Sequence, residues 1–553
     1  MKSQQSHFLD TFDQVQNIKK NHLYYGDNLT IMRNMPNACV DLIYLDPPFN
    51  SQRNYNLIYK KLTGQPIPEQ EEAFCDAWEM DAEKEELVRR MPIAFEEYGA
   101  NADLVLFWQT WIKALRYTQP SLLAYLIYMT YRLFEMRRIL KPSGSIYLHC
   151  DPTASHYIKV IMDGVFGHNN FRNEIVWKRT GAHNSGKKFG PVHDVILFYS
   201  KGSEYTWNQQ YQAQDEYIAQ RYTYVDDKQR KFYPVSLIAA GTRNGASGLP
   251  WRGIDVTAKG NHWRYKVEKL ELLDKAGDIY WPPKGGLPRL KMYAENAKGA
   301  LVQDWWDGIP PLNSQAAERL GYPTQKPIKL LSRIIQASSN EGDVIFDPFA
   351  GCGTSIYAAH LLGRKWIGCD IAILSVKLVR DVLLKRYGLQ EGEHYDINGI
   401  PVSVEGAQDL FSRDPHQFQH WSVELAGGFA STKKSGDLGI DGRIYFETTS
   451  GLKNMVISVK GGKLTPAYVR ELRGVIEREG ATELGGFICL DKPTKGMISE
   501  AAAAGTFNYL GKEYPRLQIR SIEDLLTGKG FETPSKVQTL SWIKHLQIAL
   551  PNM

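Results

Sequence analysis

The sequence predicts an α/β protein in three parts: a split β-α-β unit, a β-rich segment set into it, and a further α/β unit towards the C-terminus. Three observations carry this. Strand-like apolar runs and helix-periodic stretches alternate to about residue 170 and resume after residue 320. Over residues 171–315 the character changes: short β-rich stretches ("NEIVWKR", "DVILFYS") alternate with Gly- and Pro-rich loops ("GTRNGASGLPWRG", "WPPKGGLPR"). The third observation is length, since 553 residues exceed what one core organises and suit roughly three domains.

The elements follow in order. "HLYYGDN" and "VDLIYLD" read as strands separated by a helix through Met32. The acidic and polar insertion over residues 60–118 reads as helical. "LAYLIYMTYRLFEMRRIL" has helical periodicity and ends before "KPSGS", a stop signal that precedes the buried strand "SIYLHCD". The β-α-β pattern that resumes at 320 fades near residue 390, where "LQEGEHYDINGIPVSVEG" reads as a linker into the third unit. No internal repeat is visible.

Composition excludes several classes. Apolar content of 43% and charged content of 23% are those of a globular chain. No apolar run has membrane-spanning length, and the start "MKSQQSHFLDTFDQ" has no signal-peptide core. The six cysteines (39, 75, 150, 352, 369, 489) include no Cys-x-x-Cys pair, which argues against a zinc site or disulfide framework and for a reducing compartment. A net charge of +5 decides little, but residues 171–310 hold 21 Lys plus Arg against 15 Asp plus Glu, and 7 of the 13 Trp. Basic residues interleaved with Trp and Tyr suit a surface that meets phosphates and stacks bases, with a Trp-rich core under a solvated face as the alternative.

"GDVIFDPFAGCGTSIYAAHLLGRKWIGCD", residues 342–370, is strand, tight glycine loop, helix, strand, acid. Gly351 and Gly353 let the backbone turn sharply and approach a ligand at the following helix N-terminus. Asp370, at the end of the next strand, is placed to accept both ribose hydroxyls of a nucleoside. The third glycine position of a dinucleotide fingerprint is Ile356, which points to S-adenosylmethionine rather than NAD. "GAHNSGKK", residues 181–188, has a phosphate-loop skeleton but carries Lys188 where Mg²⁺ binding needs a hydroxyl, so it reads as a basic DNA-facing loop.

"LIYLDPPFN", residues 42–50, is an apolar run that ends on an acid, two prolines and an aromatic. An exocyclic base amine is a poor nucleophile because its lone pair is delocalised into the ring. Acceptors on both N–H bonds draw that lone pair towards a sulfonium methyl; Asp46 supplies one with its carboxylate, Pro47 the other with its backbone carbonyl. Pro48 biases Pro47 towards an extended conformation, and Phe49 offers a face for an extruded base. Flipping a base costs a few kcal/mol and one aromatic stack returns roughly 1–3 kcal/mol.

With these motifs in place, the chain resembles the DNA amino-methyltransferases in their beta ordering, in which the catalytic motif precedes the cofactor loop. "LDPPFN" matches the catalytic motif, with Asp46, Pro47, Pro48 and Phe49. "DPFAGCGTS" matches the cofactor loop, with Asp347, Phe349, Gly351, Cys352, Gly353 and Thr354, and "GCD" the ribose acid Asp370. "YYGDN" matches the strand whose Asp27 faces the cofactor's adenine. "YPTQKPIKLL", residues 322–331, matches the segment that closes over the methionine end, with Thr324, Gln325 and Lys326. The resemblance implies a Rossmann-like S-adenosylmethionine-dependent methyltransferase sheet from residues 1–170 and 320–395, with a target recognition domain at 171–319. Asp at position 46 leans towards adenine N6, with cytosine N4 the alternative. Transfer to an amine is direct, so Cys39 and Cys150 read as core residues rather than nucleophiles.

The third unit, 405–553, resembles the Mrr-like branch of restriction-endonuclease-like α/β domains. "GDLGIDGRIYF" and "NMVISVKGGKL" place Asp441 and Lys460 near the ends of adjacent strands. The resemblance implies Mg²⁺ held by Asp441, with Glu424 completing the shell and Lys460 positioning a water. Ser458 stands where an acid or Gln is usual, which weakens divalent binding and leaves a DNA-binding domain without cleavage as the alternative. The implied whole is a cytoplasmic, nucleoid-associated bacterial enzyme acting on double-stranded DNA. Its protein partner would be a second copy of the chain or a separate restriction subunit, and it would not engage a membrane.

Overall fold

The computed structural model describes residues 18–48, 82–99, 102–152, 154–181, 189–211, 214–297, 299–313, 316–320, 324–431, 439–449, 451–479 and 482–536, with single positions 80, 187 and 322. Two compact units result: residues 209–303 form one, and the rest of the chain the other. Strands β1 (Asn21–Tyr25), β2 (Val40–Leu45), β3 (Leu140–Cys150), β4 (Phe171–Lys178) and β5 (His193–Ser200) open the larger unit. The smaller unit holds β6 (Tyr224–Val225), β7 (Lys231–Ser236), β8 (Ile238–Ala240), β9 (Asn261–Trp263), β10 (Ile279–Tyr280) and β11 (Arg289–Tyr293). The chain then returns through β12 (Trp305–Trp306), β13 (Val344–Asp347), β14 (Lys365–Asp370) and β15 (Tyr395–Asn398).

The larger unit is built on a nine-stranded sheet ordered β12-β4-β5-β3-β2-β13-β14-β1-β15. Its centre is parallel from β3 through β15, and β5 runs antiparallel to both β3 and β4. Strands covered on both faces read as continuous apolar runs, and Leu42–Leu45 and Val344–Phe346 are buried throughout. The helix Pro120–Ile139, "PSLLAYLIYMTYRLFEMRRI", is buried along most of its length. It lies among helices Asn28–Asn34, Ala82–Glu97 and Ala102–Thr118. The last two are the helical insertion expected over 60–118; residues 49–79 lie outside the described positions.

Two boundaries differ from the sequence reading. "NEIVWKR" and "DVILFYS", assigned above to the inserted segment from residue 171, are β4 and β5 of the large sheet, and the separate unit begins at residue 209. A short β-rich run reports a strand and is silent about which sheet it joins. The stretch expected as a linker near 390 carries β15, which pairs in parallel with β1.

The 209–303 unit has a four-stranded antiparallel sheet, β10-β11-β7-β6, and the hairpin β8-β9. Trp251 and Trp263 form its core with Leu237, Val256, Leu270 and Ile279. Trp281 is exposed, as are Trp207 and Trp305 in the larger unit, so the tryptophans divide between core and surface.

Beyond β15, helices Val404–Arg413 and Pro415–Leu425 precede β16 (Phe429–Ala430), β17 (Gly442–Thr448), β18 (Gly451–Lys460) and β19 (Thr482–Cys489). A hairpin of β20 (Thr506–Tyr509) and β21 (Lys512–Pro515) follows, then β22 (Leu517–Ser521) and β23 (Ser535–Lys536). These make a sheet ordered β16-β17-β18-β19-β22, with β23 on β17. Helices Pro466–Arg478 and Lys495–Ala502 share its core with Val456, Phe487 and Leu517. Among the described residues no helix is long and apolar enough to cross a membrane.

Candidate active site

In an open α/β sheet, ligands bind beyond the carboxyl ends of the strands where the chain order reverses. Here that point lies between β2 and β13, which are hydrogen-bonded neighbours (Leu42 beside Ile345, Ile43 beside Phe346). The two motifs some three hundred residues apart in sequence therefore leave the sheet side by side. Asn28, at the start of the helix after β1, donates from Nδ2 to the Pro348 carbonyl at 2.8 Å.

Asp46 stands just past β2. Its Oδ2 accepts from the Lys326 ammonium, while Oδ1 is buried with no hydrogen-bond partner among the described residues. Pro47 is buried, Pro48 is half-buried, and Phe49 lies outside the described residues. Lys326, expected over the cofactor, faces Asp46 and also donates to the Thr324 carbonyl at 3.4 Å. Gln325 uses both ends of its amide on its own loop, accepting from Leu320 N–H at 2.7 Å and donating to the Glu318 carbonyl at 2.7 Å. It shapes the segment that presents Lys326.

The glycine loop after β13 is held in a left-handed turn, with φ +51° at Gly351 and +83° at Gly353. A Cβ on Gly353 would stand 2.8 Å from Val379 Cγ2, so only glycine fits without displacement. Thr354 begins the helix Thr354–Leu361, and its hydroxyl lies 3.5 Å from Cys352 Sγ. Burial pushes the Cys352 thiol up to about 12, as it does Cys39; Cys150 rises for the same reason, so none of the three is an activated nucleophile.

Asp370 closes β14. It accepts Gly351 N–H and Ala372 N–H, each at 2.8 Å, which ties the acid to the glycine turn. Burial raises its pKa to about 6 against those hydrogen bonds. Asp347 accepts Phe349 N–H at 2.9 Å and the Ser355 hydroxyl. Burial, with added repulsion from Asp46 and Asp370, pushes it up to about 7. Phe349 packs 6.5 Å from the Tyr128 ring.

Asp27 follows β1, whose Tyr25 pairs in register with Asp370. Its Oδ1 caps the helix Asn28–Asn34 through Thr30 N–H at 3.0 Å, and its Oδ2 pairs with Arg132. Burial works to raise its pKa, but Arg132 and the Thr30 N–H outweigh it and hold the carboxyl below its usual range.

Asp46 and Asp370 both bear on Asp347 by charge, and Lys326 contacts Asp46. That surplus of negative charge, the glycine turn and the buried ribose-type acid fit a nucleoside cofactor carrying a sulfonium cation. The open Asp46 oxygen fits an N–H donor.

In the C-terminal sheet, Asp441 and Lys460 do meet, with Nζ 4.0 Å from Oδ2. The same oxygen accepts Val459 N–H at 2.7 Å and the Ser458 hydroxyl at 3.4 Å. Glu424, expected beside Asp441 as a metal ligand, has Lys377 and Asp370 as its charged neighbours, and burial raises it to about 8. The cause is helix phase: Gln417, two turns earlier on the same helix, lies against Gly26 at the end of β1. Among the described residues no group of three or more His, Cys, Asp or Glu could hold a metal. These residues do not fit Mg²⁺, and no hydrolytic step is derived through it.

Sequence reasoning passed over Lys326 as the partner of Asp46, and Tyr44, His149 and Asp194 beneath it. A signal existed: His149 and Asp194 are ionisable residues in strands that are otherwise apolar.

Residues 40–380, well over half of the chain, match the DNA methylase family of N6 and N4 methyltransferases. The type II methyltransferase M.EcaI of Enterobacter cloacae is 39% identical over 268 residues, 48% of this chain and 58% of the relative. The StyLTI Mod subunit, from a type III restriction-modification enzyme of Salmonella typhimurium, is 26% identical over 356 residues, 62% of this chain and 50% of the relative. The DNA adenine methyltransferase YhdJ of Escherichia coli K12 is 23% identical over 357 residues, 64% of this chain and 80% of the relative. The chain spans half to three fifths of the length of M.EcaI and the StyLTI subunit. Among solved structures, the cytosine-N4-specific PvuII DNA methyltransferase aligns at TM-score 0.31 with 13% identity, over 68% of this chain and 89% of that one. The M1.HpyAVI–SAM complex aligns at TM-score 0.29 with 14% identity, over 66% and 99%. The chain belongs to the DNA methylase family.

Proposed function

We propose that this chain transfers a methyl group from S-adenosylmethionine to adenine N6 in double-stranded DNA, at a specific site, within a bacterial restriction-modification system. The observation that carries the reading is the buried, unpartnered Oδ1 of Asp46 at the switch point of the sheet, beside the glycine turn. An acceptor left open at that cost is explained by a substrate N–H that completes it. Asp46 takes one N–H of the amine, the Pro47 carbonyl takes the other, and Asp46 is the nearest base for the proton the amine sheds. Gly351, Gly353 and Asp370 hold the nucleoside, Asp370 accepting the ribose hydroxyls. S-adenosylmethionine, when bound, supplies the electrophilic methyl on its sulfonium.

Adenine is favoured over cytosine by the acid at position 46 and by the likeness to YhdJ. The 209–303 unit is read as the recognition body, with double-stranded DNA on its exposed basic and aromatic face. The likeness to a type III Mod subunit favours a separate restriction subunit as partner. The C-terminal sheet is read as a nuclease-like DNA-binding body that does not cut, since the Asp441 oxygen facing Lys460 also accepts Val459 N–H and Ser458 stands where an acid is usual. Plasmid incubated with the protein and Mg²⁺ should stay uncut, and nicking lost in Lys460→Ala would reverse that last reading.

The main test is product identity. DNA from a methylation-free host expressing the protein, digested to nucleosides and resolved by mass, should contain N6-methyladenine. N4-methylcytosine alone would overturn the base assignment, and unmodified DNA with cofactor present would overturn the reading.

A further inference from the structure

A buried polar chain runs under the site and belongs to none of the roles above. Tyr44 Oη lies 3.0 Å from His149 Nδ1, and His149 Nε2 lies 3.1 Å from Asp194 Oδ2. Arg179 Nε stands 3.2 Å from Asp194 Oδ1, with the arginine side chain 45% exposed. Tyr44, His149 and Asp194 are 2%, 0% and 1% exposed. The three sit on β2, β3 and β5, consecutive strands of the sheet, and Arg179 follows the end of β4, the next strand out. Trp177 closes the fourth side of the imidazole, edge-on at 5.8 Å.

The hydrogen bonds have one direction. Burial works to raise Asp194, but hydrogen bonding from His149, the charge on that ring, and the charges of Lys326 and Arg179 hold it below the usual carboxylate range. With a neutral imidazole, Asp194 accepts from Nε2–H and Nδ1 accepts from Tyr44 O–H. Tyr44 precedes Asp46 by two residues at the end of β2, and the Asp46 charge acts on it. Lys326, which touches Asp46, also bears on Asp194 by charge, so the chain and the catalytic pair meet around one ammonium.

We propose that Tyr44, His149 and Asp194 are positioning residues for the catalytic turn: they fix the end of β2, and with it the Asp46 carboxylate and Pro47 carbonyl, against Lys326. The sheet is complete in its backbone pairing without them, and apolar side chains would fill the same space. What the chain adds is a fixed rotation of Tyr44 and a fixed imidazole tautomer, anchored at the rim by an exposed arginine. Two acceptors that must both lie near 3 Å from one amine are sensitive to small displacements, and a shift of about 1 Å costs up to about 10²-fold in rate.

The inference rests on Asp46 as the amine acceptor, and the test separates the two. Tyr44→Phe removes one hydroxyl and keeps the ring; His149→Gln and Asp194→Asn remove the imidazole and the charge. Single-turnover methyl transfer and S-adenosylmethionine affinity by calorimetry are measured on the full chain. Each variant is expected to lose about tenfold or more in rate with cofactor affinity unchanged, and Tyr44→Phe/His149→Gln to be no slower than the slower single variant, because a chain fails as a unit. Tyr44→Phe within about twofold of the parent rate overturns the proposal, as do losses that add and run parallel to lost cofactor affinity. A parent chain that binds cofactor and transfers nothing overturns instead the reading of Asp46.

Discussion

Two of the aspartate–lysine pairs among the described residues, Asp46–Lys326 and Asp441–Lys460, differ in a way that separates a site from a brace. Asp46 meets Lys326 from 280 residues away, keeps one buried oxygen open, and shares its surroundings with Asp347 and Asp370. Asp441 meets Lys460 from the neighbouring strand, and its contacting oxygen is already occupied by Val459 N–H and Ser458. The first arrangement holds a charge ready while leaving an acceptor open; the second spends its acceptor on the fold. A charge pair at a strand end is therefore poor evidence of chemistry until its remaining lone pairs are followed.

The largest expected effect breaks the comparison at its centre. Asp46→Ala should reduce tritiated methyl transfer to duplex DNA by about 10³-fold or more, in the upper part of the range for losing a positioned acid or base. Asp441→Ala should leave transfer within about twofold of the parent, as a substitution remote from the reacting atoms. Equal losses in the two would mean that the open oxygen does not distinguish them.

The lysines sharpen it. Lys326→Met strips a buried carboxylate of its cation and should cost about 10- to 100-fold in turnover, since breaking a buried pair exposes the desolvation of the remaining charge. Lys460→Met should not change turnover. Initial rates at saturating DNA and cofactor decide between them.

Much of this site was legible locally. The acid that ends an apolar run at Asp46, the Gly351 and Gly353 turn and the acid closing "GCD" all declare themselves within a few residues, because each is a strand-end signal. What was not legible is long-range or directional. Nothing in "PTQKP" says that Lys326 reaches Asp46, since the pairing depends on how the helix Ile328–Ser338 lies over the sheet. Their β-rich composition marked β4 and β5 as strands but could not say that they extend the large sheet through β3. Glu424 was misdirected for a related reason: the phase of its helix turns that carboxylate towards Lys377 and Asp370.

The cofactor acid gives a pH test of smaller size. In the proposed role of Asp370 as ribose acceptor, the ionised carboxylate is the stronger acceptor for two hydroxyls, and burial has raised its pKa to about 6. Affinity for S-adenosylmethionine should be level above that pH and weaken as pH falls through it, approaching tenfold per pH unit below, the limit for one proton. Calorimetry between pH 7.5 and 5 reads the slope, and a flat profile would mean that the acid does not hold the ribose.

Glu424 supplies the smallest effect, in stability rather than activity. Its folded pKa lies at about 8, raised from 4.5 by burial against partial relief from Lys377. Between those values the folded chain binds a proton that the unfolded chain has released, so stability falls as pH rises through the window. The slope from this one group is at most about 1.4 kcal/mol per pH unit. Glu424→Gln keeps the shape and never ionises; it should match the parent near pH 5 and exceed it in melting temperature by a few degrees near pH 8.5. A parent and variant that melt together at both pH values would return Glu424 to an exposed, ligand-like setting and reopen the C-terminal carboxylates as a metal site.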